Sequence, residues 1–334
     1  MPHTLIIAEI GVNHNGCLKT AEELVRAAAL AGADIVKIQT FIADCLTTPE
    51  APKAPYQKQT DPAEENQLDM LRKLELTPAM HEALIQHCRQ NNIKFMSAPF
   101  DLESVKLLTK LQLDTFKIPS GEITNAPYLR AIGALNKNVI MSTGMSTLRE
   151  VAEALNELIK AGTDAGKITL LHCTTEYPAP FEEVNLKAME TMRKAFPNIA
   201  GVGYSDHTTG ITVPIAAAAL GAAIIEKHFT LDKTMAGPDH KASLEPHEFK
   251  AMCLGIRQVE LCMGDGDKAP TASELPNKEV ARKSIVAARD IARGEVFTEN
   301  NITAKRPGVG LSPMKWDDII GTKANRSYKA GELI

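Results

Sequence analysis

The feature that most constrains this chain is a repeating unit. A short run rich in Ile and Val is followed by a stretch with helical spacing, and the unit recurs eight times before residue 263. The strand-like runs are Leu5–Glu9, Ile35–Gln39, Lys94–Ala98, Thr115–Pro119, Asn138–Ser142, Ile168–His172, Gly201–Tyr204 and Ala223–Lys227. Helical patterns between and after them include Ala21–Leu30, Met80–Gln90, Val151–Lys160 and Pro246–Leu261. Strands alternating with helices imply a parallel sheet covered on its faces. Eight such units in roughly 250 residues is the size of a (β/α)8 TIM barrel. An open doubly wound sheet is the competitor. No GxGxxG follows the first run, and polar residues stand at the ends of all eight runs, not at one crevice, which favours the closed barrel.

After Cys262 the pattern changes. Residues 1–263 read as the barrel and 264–283, with Gly264-Asp265-Gly266-Asp267 and Ala269-Pro270-Thr271, as a linker. Residues 284–334 read as a small β-rich module with strand signals at Ser284–Ala287 and Glu295–Thr298. Such a module is too small to be stable without packing on something. The connection Phe41–Gln67 is long for a barrel loop and carries four prolines, which suggests a lid or binding loop.

Composition narrows the partners. Lys and Arg number 37 against 41 Asp and Glu with no basic run, so nucleic acid is not an expected partner. Aromatic residues at 4% leave few platforms for stacking bases. The longest apolar run, Val213–Ile225, contains a proline and a glycine and is too short to span a bilayer. Six cysteines are scattered without a CxxC pair, and the N-terminal apolar run reaches Glu9 too soon for a signal peptide. The expectation is a soluble cytoplasmic protein with no membrane partner.

In a barrel the C-terminal strand ends converge on one mouth. Here they carry Glu9, Lys37 with Gln39, Ser97, Lys117 with Ser120 and Glu122, Ser142, His172, Ser205 with His207, and Glu226 with His228. Two lysines in one mouth repel unless a polyanion lies between them, and serines can donate to the same oxygens. The alternative is that each lysine pairs with a carboxylate such as Glu9. His207 and His228 end neighbouring strands, a pattern suited to an open divalent-metal site holding Mn2+ or Mg2+. One of them acting as a general acid or base is the other reading. His172 is either a core histidine or a site residue. Asp239, in the turn Gly237-Pro238-Asp239-His240, is placed to meet substrate hydroxyls.

The strings Glu9–Gly16, Phe116–Glu122, Ser142–Met145, His172–Pro178, Gly203–Thr208, Ile225–Thr230 and Gly237–Asp239 together resemble the bacterial sialic acid synthase family, in order and across the whole chain. Lys305-Arg306-Pro307-Gly308 is similar to the motif of that family's antifreeze-like (SAF) domain. The resemblance implies condensation of phosphoenolpyruvate with an open-chain 2-acetamido hexose, a divalent metal, and a homodimer in which each SAF domain covers the partner's barrel. It implies His207 and His228 as metal ligands. Lys37, Lys117, Ser120, Ser142 and Ser205 are then expected to hold phosphoenolpyruvate, and Gln39, Glu122, Tyr177, Asp239 and Arg306 to face the sugar, Arg306 from the other subunit. Glu9 becomes the acid/base residue. Ala98 stands where the family often has Thr, so one phosphate contact is either missing or moved to Ser97. The strings Lys53–Gln57 and Cys173–Pro180 resemble both N-acetylneuraminate and diacetyllegionaminate synthases. N-acetylmannosamine is the first expected sugar and 2,4-diacetamido-2,4,6-trideoxymannose the second. A non-catalytic carbohydrate-binding protein is the alternative of another class, and the intact set of Glu9, both lysines and both histidines speaks against it.

Overall fold

A computed structural model describes residues 3–53 and 66–334. The chain forms two compact units, Met1–Gly264 and Asp265–Ile334. In the first, eight parallel strands close into a barrel in sequence order. They are β1 Leu5–Gly11, β2 Ile35–Thr40, β3 Lys94–Pro99, β4 Thr115–Ile118, β5 Asn138–Ser142, β6 Ile168–Cys173, β7 Gly201–Asp206 and β8 Ile224–His228. β1 pairs with both β2 and β8, which closes the ring.

Side chains alternate along each strand, and the inward positions form layers. The lower layer is apolar: Ile7, Ile35, Met96, Ile140, Leu171 and Ile224 pack together inside the barrel. Two residues further along five of those strands stand Glu9, Lys37, Ser142, Cys173 and Glu226, all lining the cavity at the mouth. The outward positions join a larger cluster beneath the helices that includes Ile6, Val36, Phe116, Val139 and Ile225. An apolar plug therefore supports a polar floor. Several helices begin with side-chain caps, such as Thr77 on Pro78–Gln90 and a capping box of Thr147 with Glu150 on Leu148–Ala161.

The long second connection contains a short helix, Ala43–Leu46, and Leu46 and Gln67 on either side of its undescribed part line the cavity. Ala54–Gln57 of the string Lys53–Gln57 lies outside the described residues. No described helix is long and apolar enough to cross a membrane.

The second unit differs from its expectation in two places. The stretch read as a linker holds a helix, Leu275–Ala281, started by Pro276. Its carbonyls at Glu279 and Ala281 accept from Gly308 N and Arg306 Nε, so it belongs with the module. Strand β9, Ser284–Ala287, pairs with β10, Ile302–Lys305. Glu295–Thr298 is not a strand; only an isolated bridge, Val296 to Lys323, forms there. A small core of Ile285, Ala287, Ile291, Phe297, Ile302 and Tyr328 holds the unit together, with Arg306 exposed.

Candidate active site

The mouth opens on a cavity of about 380 Å3. Its floor is a chain of alternating charges. Lys37 Nζ contacts Glu9 Oε2 and lies 3.6 Å from Glu226 Oε1. Lys117 Nζ lies 3.5 Å from the same Glu226 oxygen and donates to Ser142 Oγ at 2.7 Å. Ser205 donates to Glu226 at 3.3 Å, and Gln39 donates to Glu9 at 3.2 Å. Glu226 thus bridges both lysines, a position the sequence reading left without a role. All four charged side chains are buried.

Backbone geometry makes room for this floor. Gly11 has φ +26, and a Cβ there would collide with Glu9 Oε1. The pairing of β1 with β2 shifts between Glu9 and Gly11, so the strand bends where the carboxylate turns inward.

Burial sets the electrostatics. It pushes the Glu9 carboxyl up against the pull of Lys37, and the neighbouring Glu226 charge adds to the rise. For Lys37, burial works against the charge, but Glu226 and Glu9 outweigh it and hold the ammonium charged. Lys117 is lowered by burial, opposed by Glu226. For Glu226 burial works against the charge, yet Lys117 and Lys37 hold it ionised. Glu9 is therefore the member of the group set closest to taking up a proton.

The lysines do pair with carboxylates, as the simpler reading required. Both also line an open cavity beside Ser120, Ser142 and Ser205. Ser120 Oγ accepts from Gly144 N at 3.0 Å and lies 3.2 Å from Cys173 Sγ. Glu122, half-buried on the rim, accepts from Asn125 at 2.6 Å, and burial raises its carboxyl.

His207 and His228 come together on the β7–β8 side, with ring centroids 5.4 Å apart. The Tyr177 ring stacks on His207 at 4.1 Å. Asp239 Oδ2 lies 3.6 Å from His228 Nδ1, and burial, with Glu9 adding to it, pushes the Asp239 carboxyl up to about 7. Burial lowers His207 to about 4 and holds His228 well below the usual histidine range, so both rings are neutral, the form that ligates metal. His207 Nδ1 donates to the Thr174 carbonyl at 2.5 Å, which leaves Nε2 as its open lone pair. His228 Nδ1 is buried without a hydrogen-bond partner. Among the described residues no third His, Cys, Asp or Glu completes a metal cluster. The pair therefore fits an open site whose other positions fall to water or substrate oxygens.

Two expected residues stand elsewhere. Ser97 is turned away from the mouth, its Oγ 2.6 Å from Thr40 Oγ1 and donating to the Ile38 carbonyl at 3.2 Å. Met96 points inward, so parity gives the next inward place to Ala98, and Ser97 cannot supply the displaced phosphate contact. Arg306 lies in the second unit, bonded through Nε to Ala281 O at 3.0 Å. His172 is a tied histidine, with Nε2 2.7 Å from the Val184 carbonyl, and is absent from the cavity lining.

Comparison with known proteins decides the family. Residues 24–268 match the model of the NeuB family and residues 282–334 that of the SAF domain. The chain belongs to the NeuB family. It is 57% identical to the N,N'-diacetyllegionaminic acid synthase of Campylobacter jejuni, over 100% of this chain and 99% of that protein. It is 44% identical to the protein of the same name from Legionella pneumophila, over 98% and 92%. The crystal structure of the N-acetylneuraminic acid (sialic acid) synthetase of Leptospira borgpetersenii matches with a TM-score of 0.71 at 30% identity, covering 82% of this chain and 90% of that one. The NeuB match spans most of the barrel, and the SAF match nearly all of the module from Arg282 onward.

Proposed function

We propose that this protein is a nonulosonic acid synthase that condenses phosphoenolpyruvate with an open-chain acetamido sugar and water, giving a nine-carbon 2-keto acid and phosphate. The observation that carries the reading is the joining, in one mouth, of a two-lysine anion floor and a two-histidine open metal site. The relatives favour 2,4-diacetamido-2,4,6-trideoxymannose as the sugar, because both diacetyllegionaminic acid synthases are more similar than the sialic acid synthetase. N-acetylmannosamine is the second candidate.

Lys37 and Lys117, with Ser120, Ser142 and Ser205, hold the phosphate and carboxylate of phosphoenolpyruvate by charge-assisted hydrogen bonds. Gln39, Glu122, Tyr177 and Asp239 line the same cavity on the sugar side. His207 and His228 would hold a divalent metal, Mn2+ or Mg2+, which when bound would supply Lewis-acid polarisation of the sugar aldehyde. C3 of the enol ester forms the new bond to the aldehyde carbon, the C=O π bond opens so that the aldehyde oxygen takes its electron pair and then a proton to become a hydroxyl, and positive charge develops at C2. Glu9 stabilises that charge, orients the water that adds to C2 and takes its proton. The C2–O bond to phosphate then breaks, and the lysines carry the leaving dianion.

The SAF unit enters through Arg306. The family resemblance supports a homodimer in which this arginine serves the partner's barrel. Six unpaired cysteines fit a reducing, cytoplasmic compartment. The test is phosphate release from phosphoenolpyruvate with Mn2+ and each sugar. The diacetamido sugar is expected to give the higher kcat/KM. Phosphate release that does not depend on either sugar would overturn the reading.

A further inference from the structure

We propose that the buried pair Asp206–Lys227 is the positioning device that sets the spacing and direction of His207 and His228, and with them the protein's affinity for a divalent cation. The proposal rests on the reading of those histidines as metal ligands.

Asp206 and Lys227 are register partners across β7 and β8, each one residue before a site histidine. Ser205, His207, Glu226 and His228 line the cavity, whereas Asp206 and Lys227 do not. Alternation along the strands turns them to the opposite face. There both side chains are fully buried, at 0% exposure, with Lys227 Nζ 2.6 Å from Asp206 Oδ2. The same ammonium donates to the Thr208 carbonyl. Asp206 Oδ1 accepts from Thr208 N at 3.1 Å and from Thr208 Oγ1 at 2.9 Å. The residues before and after His207 are thus fastened to one point on β8. His228 follows that point directly, and its carbonyl accepts from Leu244 N at 2.8 Å.

A fully buried ion pair is a poor way to gain stability, because desolvation offsets the attraction and well-packed apolar residues often serve as well. What an apolar pair lacks is direction. Hydrogen bonds at fixed angles tie two strand ends together at one level, and the imidazoles extend from that level into the mouth. The partners behind metal-bound histidines act in this way, by restricting where the rings can go.

The test replaces both charges at once, Asp206→Leu with Lys227→Met, and reads melting temperature and the Mn2+ dissociation constant by titration without either substrate. Stability should stay near that of the parent protein while Mn2+ affinity falls about tenfold to a hundredfold. A folded double variant that binds Mn2+ as tightly as the parent protein overturns the proposal. Should the double variant not fold, Thr208→Val keeps the ion pair and removes only the hydroxyl that fastens Asp206. A smaller loss of Mn2+ affinity supports the proposal, and an unchanged affinity overturns it. His207→Ala separates the two levels: if it binds Mn2+ like the parent protein, the metal reading itself has failed.

Discussion

The barrel mouth and the barrel's outer surface use the same ion-pair chemistry in opposite ways. On the surface Arg149 and Glu153 meet at 2.9 Å, one turn apart on a helix, with side chains 88% and 60% exposed. In the mouth Lys37 and Glu9 are 6% and 1% exposed, and Glu226 and Lys117 extend the chain of charges. Water screens the first pair, so it contributes little. The second group has given up its hydration, and each member depends on its neighbours to remain charged. A fold that needed only stability would fill those inward positions with more of the Ile and Leu that form the layer below. The difference teaches that the mouth is organised for something other than stability.

The largest expected effect lies at the histidines. His207→Ala or His228→Ala should abolish turnover, and chelation should do so reversibly in the unaltered protein. Full activity in exhaustively chelated buffer would break the account of this side of the mouth. Next come the lysines. Lys37→Met leaves Glu9 and Glu226 facing each other with one cation fewer and should destabilise the fold by about 3–5 kcal/mol, read by denaturant unfolding. Lys117→Met should weaken phosphoenolpyruvate binding about tenfold to a hundredfold, with little change in sugar KM. An unchanged affinity in calorimetric titration would make the mouth charges structural and erase the contrast with the surface. A moderate effect is expected from mixing subunits. Arg306→Ala and His207→Ala chains, each inactive alone, should regain part of the activity once exchanged, because one barrel then has intact histidines and receives an intact arginine. No recovery after proven exchange places Arg306 in its own chain's site or outside catalysis. The smallest effect sharpens the comparison from the other side: Arg149→Ala should leave turnover and melting temperature unchanged.

Much of this was legible from residues alone, and the misses have physical causes. The eight strand runs start within a residue of the observed strands because Ile and Val mark the buried plug. Several end early, at Glu9, His172, Tyr204 and Lys227, where the apolar signal stops but the barrel continues through Gly11, Cys173, Asp206 and His228. Ser205, Asp206 and His228 among the lost residues are polar because those strands end in the site, whereas Ile10 and Gly11 continue β1 past its bend. Ser97 was misplaced for want of parity: counting by twos from Met96 reaches Ala98. Glu226 stood among the strand ends, but its bridging of two lysines depends on β2, β4 and β8 meeting across the barrel interior, which no local pattern carries. In the second unit the helix Leu275–Ala281 is exposed throughout and leaves no apolar stripe; Pro276 was its one signal. β10 is short and only partly buried, so Ile302–Lys305 carries little strand signal.

The central claim is that the lysine floor holds a phosphate that departs with its bridging oxygen after water adds at C2. Phosphoenolpyruvate carrying 18O in the C–O–P bridge tests it directly, with Mn2+ and the diacetamido sugar present. The account predicts that the released phosphate retains the label, read by mass spectrometry. Unlabelled phosphate, the mark of water attacking phosphorus, would contradict it.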